Sequence, residues 1–295
     1  MTDRQLGAGP FLTLRMLLLT CSVKLAALRR LLTHSFPESL KVCGALQYAL
    51  DKNPFGLQVV VDQWPDFTSV MCRPPLEEMT DPSDHYTNTY FLFSKDPQGL
   101  RHFLQDPQTV NWKQNLQIQG CQPMLTGVLQ EVSSKHGSQM TTTSNLLYMR
   151  DAISSEDLEK MSKLSDLQFS TLKPEEAPLV NANWAFGGTP LGESYITRCI
   201  QNFPNVCIRR VNDGRPVAWI VGEQSSEQRM GFTEEPYRNK GLFRTMVIHI
   251  ALKLHSLGCP LYCHVAPDNK KSQTATIASG FQLVGRWQQW RIQPS

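Results

Sequence analysis

The pattern of apolar and polar positions divides the chain into two blocks of short elements. In the first block, Leu18, Cys21, Leu25, Leu28 and Leu32 recur every three to four residues and predict a helix over 20–35, ending before Phe36-Pro37. Residues 41–50 read as a strand, closed by a turn at Lys52-Asn53-Pro54. Residues 57–61 and 68–72 read as an antiparallel pair about the Trp64-Pro65-Asp66 turn, and 86–94 as a further strand. A helix follows Asp96-Pro97, with Pro97 in its first turn. Residues 111–119 fit either a strand or an amphipathic helix, while 123–132 read as a helix and 145–149 as a strand.

The segment 154–165 is polar and charged, with only Leu158, Met161 and Leu164 apolar. As a surface helix or a linker, it marks the boundary between the blocks. Beyond it come strand 168–172, helix 174–184, helix 192–203 and strand 207–211. The Asn212-Asp213-Gly214 turn makes a hairpin with strand 216–222. Strand 227–233, a loop, helix 242–256, strand 261–265, helix 271–279 and strands 281–284 and 288–292 complete the chain. This is a mixed α+β order with one central crossover.

Composition narrows the function. The 295 residues, 41% of them apolar, suffice for one large or two ordinary domains. With 29 basic and 26 acidic residues the net charge is +3, too balanced for a dedicated nucleic-acid binder. Eight scattered cysteines, without a Cys-x-x-Cys pair, read as reduced thiols rather than a disulfide framework. Cys259, Cys263 and His264 lie close in sequence, but no second ligand pair with zinc spacing follows, so no metal is expected. Before Pro37, the basic residues Arg4, Arg15, Lys24, Arg29 and Arg30 accompany one acid, Asp3, and many leucines. No run there reaches the roughly twenty apolar residues of a membrane span. The segment suits an amphipathic mitochondrial presequence and a folded first helix alike.

Between Gly231 and Phe243 a strand end, a turn and a long helix start follow one another. The first amides of such a helix are unpaired and its dipole is positive, so a phosphate or pyrophosphate fits there. Gly241 lets the backbone approach the anion, and Arg238 and Lys240 add charge at the rim. About thirty residues on come Asn269-Lys270-Lys271-Ser272 and then Gly280-Phe281. This order resembles the GNAT superfamily of acyl-CoA-dependent N-acyltransferases. Its pyrophosphate loop has the form Arg/Gln-x-x-Gly-x-Gly/Ala, followed later by Asn-x-x-Ala/Ser, a helix and Gly-Phe. Further segments narrow the resemblance to the glycine N-acyltransferase family, with its glycine/glutamine N-acyltransferase-like members. Among them are Asn53-Pro54-Phe55, Asp84-His85-Tyr86, Asn111-Trp112, Trp184-Ala185-Phe186-Gly187, Arg198-Cys199-Ile200 and Trp287-Gln288-Gln289-Trp290.

The resemblance implies an α+β chain of two GNAT-like α/β domains. Residues 16–165 would form a degenerate acyltransferase-like domain after an extension at 1–15. Residues 166–295 would form the catalytic domain, with a mixed central sheet and a pyrophosphate-binding strand-loop-helix. The implied substrates are acyl-CoA, as co-substrate rather than bound cofactor, and the amine of glycine or a related amino acid such as glutamine. Glu227 is the implied base. Met230, Phe232, Thr233, Arg238, Asn239, Lys240, Gly241, Leu242, Phe243, Asn269 and Ser272 are the implied CoA-binding residues.

An ordinary Glu is too acidic to be an efficient base, so partial burial is expected to raise the Glu227 pKa. Arg229, two residues on along the same strand face, is a candidate anchor for the acceptor carboxylate. Glu223 competes for the role of base. His264 reads as structural, and a Cys263–His264 nucleophile is not needed. Two departures from the pattern stand out. Phe243 replaces a small residue, with a side chain free to point into the following helix. Thr276 stands where many relatives carry a Tyr acid. A silent CoA-binding regulator and a peptide N-acetyltransferase are therefore kept as alternatives. A monomer in the mitochondrion is expected, with endoplasmic reticulum or cytosol as alternatives.

Overall fold

The computed structural model describes residues 16–154, 156–157 and 166–295. The expected extension at 1–15 and most of the boundary segment at 154–165 lie outside these residues.

The first half runs β1 (Leu17–Leu19), α1 (Ser22–Thr33), α2 (Leu40–Leu50), β2 (Gln58–Val61), β3 (Ser69–Arg73), β4 (Thr89–Ser94), α3 (Pro97–Gln105), β5 (Leu116–Gly120), α4 (Thr126–Lys135) and β6 (Ser138–Arg150). The second half repeats this order. It runs β7 (Leu167–Ser170), α5 (Ala177–Ala182), α6 (Pro190–Asn202), β8 (Asn205–Arg210), β9 (Pro216–Gly222), β10 (Gln228–Thr233), α7 (Leu242–Ser256), β11 (Leu261–Val265), α8 (Lys270–Ala278) and β12 (Gln282–Pro294). The chain is α+β, as the sequence implied, and the duplication of its architecture leaves no repeat visible in its residues.

Most helices follow the apolar period. In α1 the buried Leu25, Leu28 and Leu32 form one stripe, and in α3 Leu100, Phe103 and Leu104 do the same. The stretch expected as a strand at 41–50 is instead helix α2. Every residue from Leu40 to Leu46 is buried, so no polar face marks a helical period. The ambiguous stretch 111–119 resolves at its end into strand β5. The two strands expected at 281–284 and 288–292 are one strand, β12, with an irregularity between Leu283 and Gly285.

Two sheets result. Strands β6 and β12 pair antiparallel along their whole length, from Gln282 opposite Met149 to Pro294 opposite Ser138. β12 also pairs with β5, and β11 with β6. The larger sheet therefore has the order β1-β2-β3-β4-β5-β12-β6-β11, with the last strand of the second half inside the sheet of the first. The smaller sheet is β10-β9-β8-β7. In the first half, β4 and β5 pair as parallel neighbours, Thr89 with Gln117 through Phe91 with Gln119. Their counterparts β10 and β11 fall in different sheets, each as an edge strand. That leaves the backbone edge of β10 free of a strand partner on the side of β11.

Candidate active site

The hairpin between β9 and β10 turns through Glu223-Gln224-Ser225-Ser226-Glu227. Such a polar run belongs at a surface, yet each of its residues is 2% exposed or less. Helix α2 of the first half covers it. Gly44 sits where a Cβ would lie 1.9 Å from the Ser225 carbonyl oxygen, so only glycine permits this approach. Ser226 Oγ donates to the Gly44 carbonyl at 3.0 Å, and Tyr262 OH of β11 donates to the Ser225 carbonyl at 2.7 Å.

The two carboxylates of this loop share one cation. Lys41 Nζ, wholly buried, donates to Glu227 Oε2, to Glu223 Oε1 at 3.2 Å and to Ser225 Oγ at 3.0 Å. It lies among the rings of Phe91, Tyr262 and Trp287, 5.5–5.9 Å from their centres. Arg229 Nη1 stands 3.9 Å from Glu223 Oε2, and Tyr195 OH donates to the same oxygen at 3.2 Å. Two acidic and two basic side chains thus face one another in a dry interior, each with a partner of opposite sign.

The remaining oxygen of Glu227, Oε1, is 2.5 Å from His264 Nδ1. The expected upward shift of the Glu227 pKa is not what the structure shows. Burial pushes the carboxyl up, but the charges of His264 and Lys41 outweigh it and hold the group below the ordinary carboxylate range. Burial pushes the His264 imidazole below its usual value, against the pull of Glu227. Lys41 holds the second oxygen of the same carboxylate, Oε2. The imidazole then carries its proton on Nδ1, facing an acceptor-only carboxylate. Its ring stacks on Trp287 with centres 3.9 Å apart.

Arg229 is 8% exposed, and its guanidinium lies 5.3 Å from the Trp184 ring centre, 6.0 Å from Phe186 and 5.8 Å from Trp287. Beyond the long contact to Glu223 it has no hydrogen bond among the described residues. Just past it the strand bulges. Met230 takes φ 56°, and the register with β9 shifts between Arg229 and Phe232. Phe232 stacks on Trp219 at 4.8 Å.

At the far end of β10, Gly241 is the N-cap of α7 with φ 75°, and Asn239 before it has φ 62°. No side chain caps α7 and no acid lies in its first turn, so the amides that begin with Leu242 keep their positive end open. Arg238 Nε donates to the Thr233 carbonyl at 2.9 Å and braces the turn. Lys240 Nζ lies 5.3 Å from the Tyr237 ring centre. The bulky Phe243 turns onto β10, where its Cε2 would meet a Cβ at Gly231 at 3.1 Å, rather than into the helix. Asn269 caps α8 by accepting from the Ser272 amide at 3.1 Å, and Thr276 is buried in the same helix.

The structure therefore gathers Glu227, Arg229 and His264 at one end of β10 and the residues from Arg238 to Phe243 at the other, about 20 Å away along six residues. Sequence reasoning missed Lys41 and Gly44. The one signal was a lysine inside the apolar run Leu40-Lys41-Val42-Cys43. The Cys263 thiol is pushed well up by burial, away from nucleophilic thiolate. Among the described residues no group of three or more His, Cys, Asp or Glu is placed to hold a metal ion.

Comparison with known proteins shows the family and the fold. The family model for aralkyl acyl-CoA:amino acid N-acyltransferase matches residues 16–204, and the model for its C-terminal region matches 206–294. Human glycine N-acyltransferase-like protein 2 is 38% identical over 95% of this chain and 99% of its own length. Human glycine N-acyltransferase is 37% identical over 92% and 96%. Among solved structures, a Drosophila protein superposes with a TM-score of 0.73 over 95% of this chain and 98% of its own, at 16% identity. A tandem GNAT protein from the clavulanic acid biosynthesis pathway does so with a TM-score of 0.50 over 94% and 97%, at 12% identity. The fold is thus that of GNAT enzymes, and the chain belongs to the aralkyl acyl-CoA:amino acid N-acyltransferase family.

Proposed function

We propose that this acyltransferase moves the acyl group of an acyl-CoA onto the amine of glycine or a related amino acid such as glutamine, with Glu227 as the carboxylate that drives amine deprotonation. One observation carries the reading: a buried, ionised carboxylate stands at one end of an open strand edge whose other end is an uncapped helix start. Residues 166–295 carry the chemistry in this reading, and 16–165 support it. The diphosphate of CoA lies on the turn from Arg238 to Phe243, against the amides that begin α7. The pantetheine arm follows the free edge of β10 past Met230, Phe232 and Thr233, whose amides also serve the developing oxyanion. Asn269 and Ser272 shape the neighbouring start of α8. Arg229, buried yet without a hydrogen bond, takes the acceptor carboxylate.

The ammonium of an amino acid cannot attack a thioester. Once deprotonated it attacks the carbonyl directly, and the CoA thiolate leaves. Its pKa resembles that of an ordinary thiol, about 8.5, so it departs without a Tyr at position 276. Release of free thiol from a panel of acyl-CoAs against the twenty amino acids tests the reading. Turnover with one or a few amino acids is expected, together with a loss of at least about 10³-fold in kcat for Glu227→Gln. Binding of acyl-CoA without thiol release, or turnover of peptide amines alone, would overturn it. The acid-poor, leucine-rich start supports a mitochondrial enzyme, and we take it to act as a monomer.

A further inference from the structure

Glu227 has no exposed surface, and both its oxygens are engaged, Oε2 by Lys41 and Oε1 by His264. A substrate amine therefore cannot touch it. His264 differs. Its side chain is 8% exposed, and Nε2 makes no hydrogen bond among the described residues. Nor is that nitrogen among the fully buried atoms that lack a partner, so it retains contact with solvent. With the ring proton on Nδ1, Nε2 presents a lone pair.

We propose that His264 Nε2 is the atom that takes the proton from the acceptor amine, while Glu227 orients and polarises the ring through Nδ1 and Lys41 of the first half holds Glu227 in place. The proposal rests on the acyltransferase reading above. Arg229 and His264 lie against the same indole, Trp287. An α-amino acid carries its amine one carbon from its carboxylate. An amino acid anchored on Arg229 therefore holds its amine within the cluster of groups around Trp287 that includes His264.

The step balances as follows. The N–H bond of the ammonium breaks and the proton goes to Nε2, giving an imidazolium still bonded through Nδ1–H to the ionised Glu227. The free amine forms the C–N bond as the C–S bond breaks. The proton that nitrogen sheds on becoming an amide goes to the departing thiolate, and the imidazolium returns its proton to water. A carboxylate behind the imidazole stabilises the imidazolium in the same way as in a Ser-His-Asp triad. The charged groups facing His264 are Glu227 and Arg229 at the start of β10 and Lys41 from α2. Burial and the two cations keep the ring neutral, and so ready to accept, at neutral pH.

The test compares His264→Asn with Glu227→Gln in full-length protein by thiol release, alongside thermal unfolding and acyl-CoA binding. Asn keeps a donor toward Glu227 but has no second nitrogen. We expect its kcat to fall about 10²–10³-fold with acyl-CoA affinity within threefold of wild type. The acid limb of the wild-type kcat/KM profile, set by an imidazole below its usual value of about 6.5, should vanish. Added imidazole should restore part of the activity of His264→Ala, a rescue that a purely structural histidine would not show. If His264→Asn keeps activity within threefold while Glu227→Gln loses it, Glu227 acts directly; this proposal falls and the acyltransferase reading stands. If wild type releases no thiol with any amino acid, both fall.

Discussion

The two halves share one order of elements but treat the strand-to-helix turn in opposite ways. In the first half, β4 runs into α3 through Asp96, whose carboxylate accepts from the amides of Gln98 and Gly99, each at 2.9 Å. The helix start is closed by the chain's own anion. The gap beside β4 is closed as well: Gln122 accepts from the Ser94 amide at 2.9 Å and donates to the Ser94 carbonyl at 2.7 Å. Just before β4, at the position matching Glu227, stands Asn88, whose amide donates to the Asp81 and Asn115 carbonyls, each at 3.0 Å. In the second half the N-cap is Gly241, no side chain caps the helix and no acid lies in its first turn, and the strand edge is open. One architecture thus yields a turn closed by its own side chains and a turn whose helix start and strand edge stay open. Unmet capacity in a folded protein is where a ligand fits.

The support still reaches into the site, and the largest expected effect tests that link. Lys41→Met leaves Glu223 and Glu227 buried with too little positive charge. We expect a loss of about 3–5 kcal/mol in chemical denaturation, partly recovered by adding Glu227→Gln. A loss no larger than that of an exposed lysine would break the link. Gly44→Ala places a methyl on the Ser225 carbonyl and must displace the loop that holds Glu227. A shift of about 1 Å is expected to lower kcat on the order of 10²-fold. Unchanged kcat would show that the first half merely abuts the loop. Gly241→Asp carries the acid of the first half into the second. Asp tolerates the left-handed conformation, so the helix should survive while the KM for acyl-CoA rises about tenfold or more, through repulsion and self-capping. The smallest effect belongs to the mirror-image change. Asp96→Ala should cost about 1 kcal/mol in thermal or chemical unfolding and leave the KM for acyl-CoA within twofold. A matching change in KM would mean that the two turns are not functionally distinct.

Much of this was legible in the residues. The segment from Gly231 to Phe243 read as a phosphate turn only together with the later Asn269-to-Phe281 pattern and the family resemblance, whereas α7 lies at the residues its apolar pattern predicted. Glu227 became a candidate through the resemblance to the glycine N-acyltransferase pattern, and Arg229 through its place two residues on along the same strand face. Lys41 did not, since no spacing rule connects positions 186 residues apart. The helix that carries it was itself misread, because burial on every side erases the period by which helices are recognised. The direction of the Glu227 shift was missed for the same reason. Burial alone raises a carboxyl, and only a partner brought in by tertiary structure reverses that. The continuity of β12 was hidden by Gly285, where the strand irregularity looks in sequence like a break.

The exchange of β12 into the first sheet has a consequence for synthesis. When a ribosome has completed β6, the strand that belongs between β5 and β6 does not yet exist. At about 5–20 residues per second it emerges on the order of ten seconds later, and until then both neighbours present bare edges to the cytosol's other nascent chains. A newborn molecule therefore carries an unfinished sheet until its last strand arrives. Trimming a dozen residues from the C-terminus would disable the half of the protein made first.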